Sequence, residues 1–252
     1  MRRNSPMIYP KRGLVGLLII TFAVANSFAE DANELLKKID EKLTPESYEA
    51  YRKLINEEPD GSEKEFIFYT VKKGRDKVAM LYLSPASEKG RATLRLGENM
   101  WLYIPNVGKP IRITSMQSIT GGIFNNSDIM RVDYSAEYDP TILEQNDTEY
   151  VLELKAKSKS VAYDKLKMWA TREALLATKI ECYSASGMLI KTLEFKEVKD
   201  FGGGVVRPSV VETRSPLNKG YRSIIIFANM KLRKFPDEVF TLNYLPKLGD
   251  LR

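Results

Sequence analysis

Four carboxylates stand close together in the middle of the chain: Asp128, Asp133, Glu137 and Asp139. Paired carboxylates can do general acid–base work or bind a hard cation. Here the spacing matches no calcium loop, and no nucleophile or companion base accompanies them, so the cluster reads as solvated helix caps and turns. The chain contains no histidine. That absence removes Ser-His-Asp and Cys-His machinery, zinc sites built on imidazole, and the usual general base. Cys182 is the single cysteine. It can form no intramolecular disulfide, and its place in the predicted strand 177–183 marks it as a buried, inert thiol. Gly121-Gly122 and Gly202-Gly203-Gly204 lack the strand-to-helix context or the lysine of a phosphate-binding loop and read as turns. Lys155, Lys157 and Lys159 form a basic patch without interleaved aromatics, a solvated loop rather than a nucleic-acid surface. No catalytic residue, metal site or cofactor is expected, and the chain does not read as an enzyme.

The elements around these residues are mostly strands. Residues 31–43 place Leu35, Leu36, Ile39 and Leu43 on one side of an amphipathic helix. Thr44-Pro45-Glu46 resembles an N-cap followed by proline at the first helical position, which would open a second helix to about Ile55 with Tyr48, Tyr51, Leu54 and Ile55 on its apolar side. From residue 64 onward, apolar-rich segments recur about every ten residues with turn signals between them, the pattern of an antiparallel meander. Ala92, Leu94 and Leu96 alternate with Thr93 and Arg95, whereas Met100–Ile104 is apolar or aromatic at every position, so both of its faces require cover. Residues 115–145 break the rhythm and read as an irregular excursion over one face of the sheet, with a short helix capped at Ser127 or Asp128. A meander of about ten strands twists and curls. Helices or an apolar ligand must then fill its concave side. The expected class is mainly β (α+β): one curled antiparallel sheet of about ten strands with helices or an apolar ligand on its concave side.

The N-terminus carries an address. Arg2, Arg3, Lys11 and Arg12 precede the apolar run Leu14–Val24, and Ser27-Phe28-Ala29 places small residues at the positions a signal peptidase reads. Residues 1–29 are expected to be a secretory signal cleaved after Ala29, leaving a single exported domain over 30–252. The whole chain counts 39 basic against 33 acidic residues. Without the four basic residues of the signal, 35 remain against 33, a net charge of +2. A balance this small gives no footprint for nucleic acid.

Several segments together resemble a known family. Met100-Trp101-Leu102-Tyr103-Ile104-Pro105 followed by Lys109-Pro110-Ile111-Arg112-Ile113, the segment from Tyr163 to Tyr183, and Leu193-Glu194-Phe195-Lys196 with Arg207-Pro208 are similar to the outer-membrane lipoprotein-sorting proteins, the LolA-like group, and to its uncharacterised members in particular. Many of those members carry an acidic-aromatic motif close to Ser-Asp-Phe-Ser-Tyr where this chain has Asn126-Ser127-Asp128-Ile129-Met130. The resemblance implies a half-open antiparallel β-barrel of about ten strands with helices covering the concave face, located in the periplasm, which carries lipoprotein acyl chains or other lipids across it, with an inner-membrane exporter and an outer-membrane acceptor as partners. Under that reading the acyl-chain contacts would be Leu94, Leu96, Leu102, Ile104, Ile111, Ile113, Met168, Ile224 and Ile226. Several of their strands are apolar on both faces, so the sequence leaves open which parity lines the interior. Trp101 and Tyr103 are placed on the outer or rim face, with Leu102 and Ile104 inward. A non-transport envelope module associated with a membrane exporter would use the same sheet.

Overall fold

The computed structural model describes Met1 and residues 31–252. The expected signal peptide and its cleavage point after Ala29 lie, Met1 apart, outside the described residues. Helix α1, Ala32–Leu43, is capped by Asp31, whose carboxylate accepts the Asn33 N–H at 2.9 Å, and it buries Leu35, Leu36, Ile39 and Leu43. The expected second helix is instead strand β1, Ser47–Glu57, whose burial alternates residue by residue. Thr44 ends α1, its N–H bonded to the Asp40 carbonyl, rather than opening a new helix. The misleading signal has a physical cause. Tyr48, Ala50, Arg52, Leu54 and Asn56 face one way, and two of those five are polar, so period-two hydrophobicity is hidden.

The remaining strands are β2 Glu63–Lys73, β3 Lys77–Ser84, β4 Ala92–Leu96, β5 Asn99–Tyr103, β6 Ile111–Ile113, β7 Tyr138–Gln145, β8 Glu149–Ala156, β9 Lys165–Thr171, β10 Ala177–Tyr183, β11 Leu189–Asp200, β12 Val206–Arg214 and β13 Arg222–Leu232. All thirteen form one antiparallel sheet in the order β6-β5-β4-β3-β2-β1-β13-β12-β11-β10-β9-β8-β7. It consists of two meanders joined where β1 pairs with β13, Leu54 opposite Ile225. The sheet is open and larger than the expected barrel of about ten strands, because β6 and β7 are edges and do not pair. The sheet nonetheless curls: the β8–β9 turn reaches the β4–β5 turn, Ser158 Oγ donating to Glu98 at 2.5 Å.

Because β6 and β7 are consecutive in sequence yet at opposite edges, residues 114–137 must cross the whole width of the sheet. They do so as a strap over the inner face, with two single helical turns, α2 Asn126–Ile129 and α3 Tyr134–Glu137. The strap contributes Phe124, Ile129, Met130, Val132 and Tyr134 to one core with α1 and inward side chains of both meanders, among them Phe68, Met80, Leu152, Met168 and Ile180.

A second, smaller core lies on the other face. Two 3-10 segments, Asp237–Phe240 and Leu242–Leu251, fold back so that Phe235, Val239, Phe240, Leu245 and Leu248 cover Tyr69, Val71, Ala79, Leu81, Ala92 and Leu94. This answers why β5 is apolar on both sides. Met100 belongs to the inner core, while Trp101 and Tyr103 pack against the outer one. No helix among the described residues is long and apolar enough to cross a membrane.

Candidate functional site

The inner face of the sheet is not uniformly apolar. Five cations point inward from it: Arg52 on β1, Lys72 on β2, Arg95 on β4, Lys191 on β11 and Arg207 on β12, none more than 5% exposed. A charge out of water is costly unless paired and hydrogen-bonded. Three of the five find their partners on the strap. Lys72 meets Asp133 at 2.9 Å, Lys191 meets Asp128 at 2.7 Å, and Arg95 meets Glu137. The carboxylates expected to be solvated caps are therefore latches. Asp128 does both jobs: it closes a capping box with Asn125 on α2, and it accepts Lys191 Nζ and the Tyr163 hydroxyl. Burial, and then the Asp128 charge, hold the Tyr163 phenol well above its ordinary range. Asp139, at the start of edge strand β7, stays outside this set and among the described residues pairs only with Lys157, at 3.7 Å.

Main-chain groups complete the latch. Arg52 donates to the Ile129 carbonyl at 2.8 Å and to Thr70, and Arg95 donates to the Met130 carbonyl at 3.1 Å. Asp40 on α1 accepts the N–H groups of Tyr134 and Ser135 at 2.9 and 2.8 Å, tying α1 to α3. Burial, reinforced by neighbouring Asp133, pushes the Asp40 carboxyl up to about 6.

At the β1–β13 seam, Asn56 Nδ2 reaches the Thr120 and Gly121 carbonyls, and Ser223 Oγ accepts the Ile123 N–H. Gly122 sits directly on this pair with φ +70, and a Cβ there would overlap Asn56 and Ser223. Gly122→Ala is thus expected to cost about 1–3 kcal/mol through backbone strain and displacement of Asn56. The measurement is urea denaturation, with faster amide exchange concentrated in residues 119–124; an unchanged midpoint would show that the seam does not anchor the strap.

Under the strap a cavity of about 30 Å³ remains, lined by Arg52, Phe124, Arg131, Tyr163 and Phe227 among others. It has room for one or two waters and not for an acyl chain, so the strap itself occupies the interior. Cys182 is fully buried in β10 beside this cavity, and burial pushes its thiol well above the usual range.

The nine apolar residues singled out from the sequence divide between the faces. Met168 lies in the inner core, and Ile113 packs against it. Leu102 and Ile111 pair with each other beside Met100 and Ile113 and share their face, with Ile111 exposed. Leu94 and Leu96 are on the opposite face, beneath the C-terminal 3-10 segments. Ile224 and Ile226 also face away from the interior, since Ile225 between them points into it. Ile104 follows β5 as the first residue of a turn and is half-buried. The inward positions of β4 are Thr93 and Arg95, so an apolar alternation marked the face covered by the C-terminus. The inward cations carried no sequence signal of their own. A lone Arg or Lys in a strand reads as solvent-facing, and only the register exposes the pattern.

The structure thus defines a class: a single open antiparallel sheet whose inner face is covered by one helix and a cross-sheet strap, with no metal-binding cluster of His, Cys, Asp or Glu among the described residues. A family model described only as that of an uncharacterized protein matches residues 74–247. A LolA superfamily protein from Nitrosomonas europaea is 33% identical, with a TM-score of 0.78 over 86% of this chain and 100% of its own. This chain belongs to the LolA superfamily. The same fold occurs in a DUF1329 family protein from Desulfovibrio piger (21% identity, TM-score 0.75, 85% of this chain and 97% of that one). It occurs again in a domain described as that of an outer membrane lipoprotein-sorting protein from Vibrio parahaemolyticus (19% identity, TM-score 0.72, 86% and 100%). No curated protein matches the sequence.

Proposed function

We propose that the protein is a periplasmic carrier that binds lipid or lipoprotein acyl chains against the inner face of the sheet and passes them between membranes or partners. The observation that carries this reading is the strap. Phe124, Ile129, Met130 and Val132 fill the interior without belonging to any strand, and they are held there by three ion pairs and by carbonyls rather than by the sheet ladder. Removing four such side chains from an apolar interior costs about 6–12 kcal/mol, and burying an acyl chain of about 15 methylenes returns about 12 kcal/mol. The apolar exchange is thus near balance, and parting the three ion pairs is the further cost of opening. The superfamily membership and the lipoprotein-sorting relative support the same cargo class. An inner-membrane exporter as donor and an outer-membrane acceptor follow from that place in the envelope.

A second reading has an observation of its own. The interior is filled, leaving only about 30 Å³, as a non-transport envelope module would have it. Mass spectrometry of an organic extract of the purified mature chain separates the two. A carrier yields acyl species in stoichiometric amount and takes up a fluorescent fatty acid. A clean extract with no uptake overturns the carrier and leaves the envelope module. The protein is not expected to turn over ester or amide substrates; hydrolysis abolished by a carboxylate variant would overturn that expectation.

A further inference from the structure

The latch leaves a remainder. Of the inward cations, Lys72, Arg95 and Lys191 are matched one to one by Asp133, Glu137 and Asp128. Arg52 and Arg207 on the sheet, and Arg131 on the strap, have no carboxylate within ion-pair distance among the described residues. Resting on the carrier reading, we propose that this remainder is a headgroup site: the cargo is an acidic amphiphile, and its carboxylate or phosphate is held between Arg52, Arg131 and Arg207.

Three features support an anion here. Two of the guanidiniums share one aromatic ring, Arg207 stacked 4.0 Å and Arg52 5.7 Å from the centroid of Phe227. Arg131 lies between Tyr134 and Phe195, 5.5 Å from each ring centre. Arg207 is completely buried, yet its Nη2 has no hydrogen-bond partner, and neither has Arg131 Nε. The nearby acid, Asp40, has its oxygens engaged by Tyr134 and Ser135. Burial and the proximity of Arg131 pull the Arg207 guanidinium down to about 9, the behaviour of a cation short of a counter-charge.

The present partners of these arginines also say when the site becomes free. Arg52 donates to the Ile129 carbonyl of the strap, and Arg207 donates to the Leu43 carbonyl at the end of α1. These are the two elements that must lift for an acyl chain to enter. Once they lift, Arg52 keeps Thr70 and Arg207 keeps the Pro208 carbonyl, but each loses one acceptor that a neutral lipid does not replace, whereas an anionic oxygen pair fits the planar fork of arginine. Arg52 and Arg207 then form a fixed floor, and Arg131 closes over the ligand with the strap.

The test is binding of palmitate, hexadecanol, phosphatidylglycerol and diacylglycerol to the delipidated mature chain, read by native mass spectrometry. The acids are expected to bind at least tenfold more tightly than their neutral counterparts. Arg207→Gln is expected to bring the ratio of acid to neutral affinity close to one, whatever loss of its bond to Leu43 does to the affinity for all lipids. Arg131→Gln, on the less buried strap, provides the same readout if the first variant does not fold. Preference for palmitate alone assigns a carboxylate, and preference for phosphatidylglycerol alone assigns a phosphate. Equal affinity for acids and neutrals, unaltered by either variant, overturns the headgroup site and leaves the carrier standing. No binding of any lipid overturns the carrier reading itself.

Discussion

Lys191→Met is expected to cost the fold about 3–5 kcal/mol, because it strands a buried carboxylate. Lys191 and Asp128 are 4% and 6% exposed at the side chain and 2.7 Å apart. The lysine also donates to the Ile123 carbonyl at 2.6 Å, so one ammonium pins the strap at two points. Methionine matches its length and removes only the charge and the donors. Asp128 would then keep its capping box and the Tyr163 hydroxyl but no cation. Adding Asp128→Asn removes the stranded charge, so the double variant should be more stable than Lys191→Met alone. Urea denaturation of the three chains measures this, and amide exchange should show the loss first in residues 123–130. A Lys191→Met loss below about 1 kcal/mol would show that the strap is held by its apolar side chains alone. Under the carrier reading, the same variant should also take up a fluorescent acyl probe faster than the wild type, because the barrier to lifting the strap is lower.

This latch explains which parts of the molecule the sequence exposed. The meander was legible because strands such as β9 alternate cleanly: Leu166, Met168 and Ala170 are buried and their neighbours are not. The irregular crossing was legible as a break in that rhythm, and its apolar content correctly pointed to packing. What the carboxylates within it do was not legible. Asp128, Asp133 and Glu137 have ordinary capping spacing, and their partners lie on β11, β2 and β4, so no local pattern connects them. The β1 misassignment has the same root. Arg52 and Asn56 look like the polar side of a helix because their acceptors, Ile129 and Thr120, are more than sixty residues away. The parity of β4 was not legible for a complementary reason. Its apolar side is covered by the C-terminal 3-10 segments, and nothing in Leu94 or Leu96 records which of two apolar covers each receives. An inner face lined by cations therefore reads as an outer face until the register is known.

Asp40 is expected to make stability depend on pH in the direction opposite to an ordinary surface carboxylate. Its carboxyl is raised from 3.8 to about 6, first by burial and then by the Asp133 charge, against the opposing effect of the Ser135 and Tyr134 N–H groups. Between those two values the folded chain holds a proton that the unfolded chain has lost. Stability supplied by Asp40 is therefore complete below about pH 4 and falls as pH rises. It is flat again above about pH 6, a loss of about 3 kcal/mol. Among the charged groups around it, Asp133 disfavours ionisation and is itself held by Lys72, while the Asp40 charge favours the cationic form of Arg131. Asp40→Asn has no proton to lose. The difference in unfolding free energy between wild type and variant should shift toward the variant by about 3 kcal/mol from pH 4 to pH 7. Urea denaturation at pH 4, 5, 6 and 7 tests this against the background titration that both chains share. A constant difference would mean that Asp40 ionises normally. If the difference follows the expected course, the cost above about pH 6 is that of burying the Asp40 charge beside Asp133, while the Tyr134 and Ser135 N–H groups, which favour the charged form, still tie α1 to the strap.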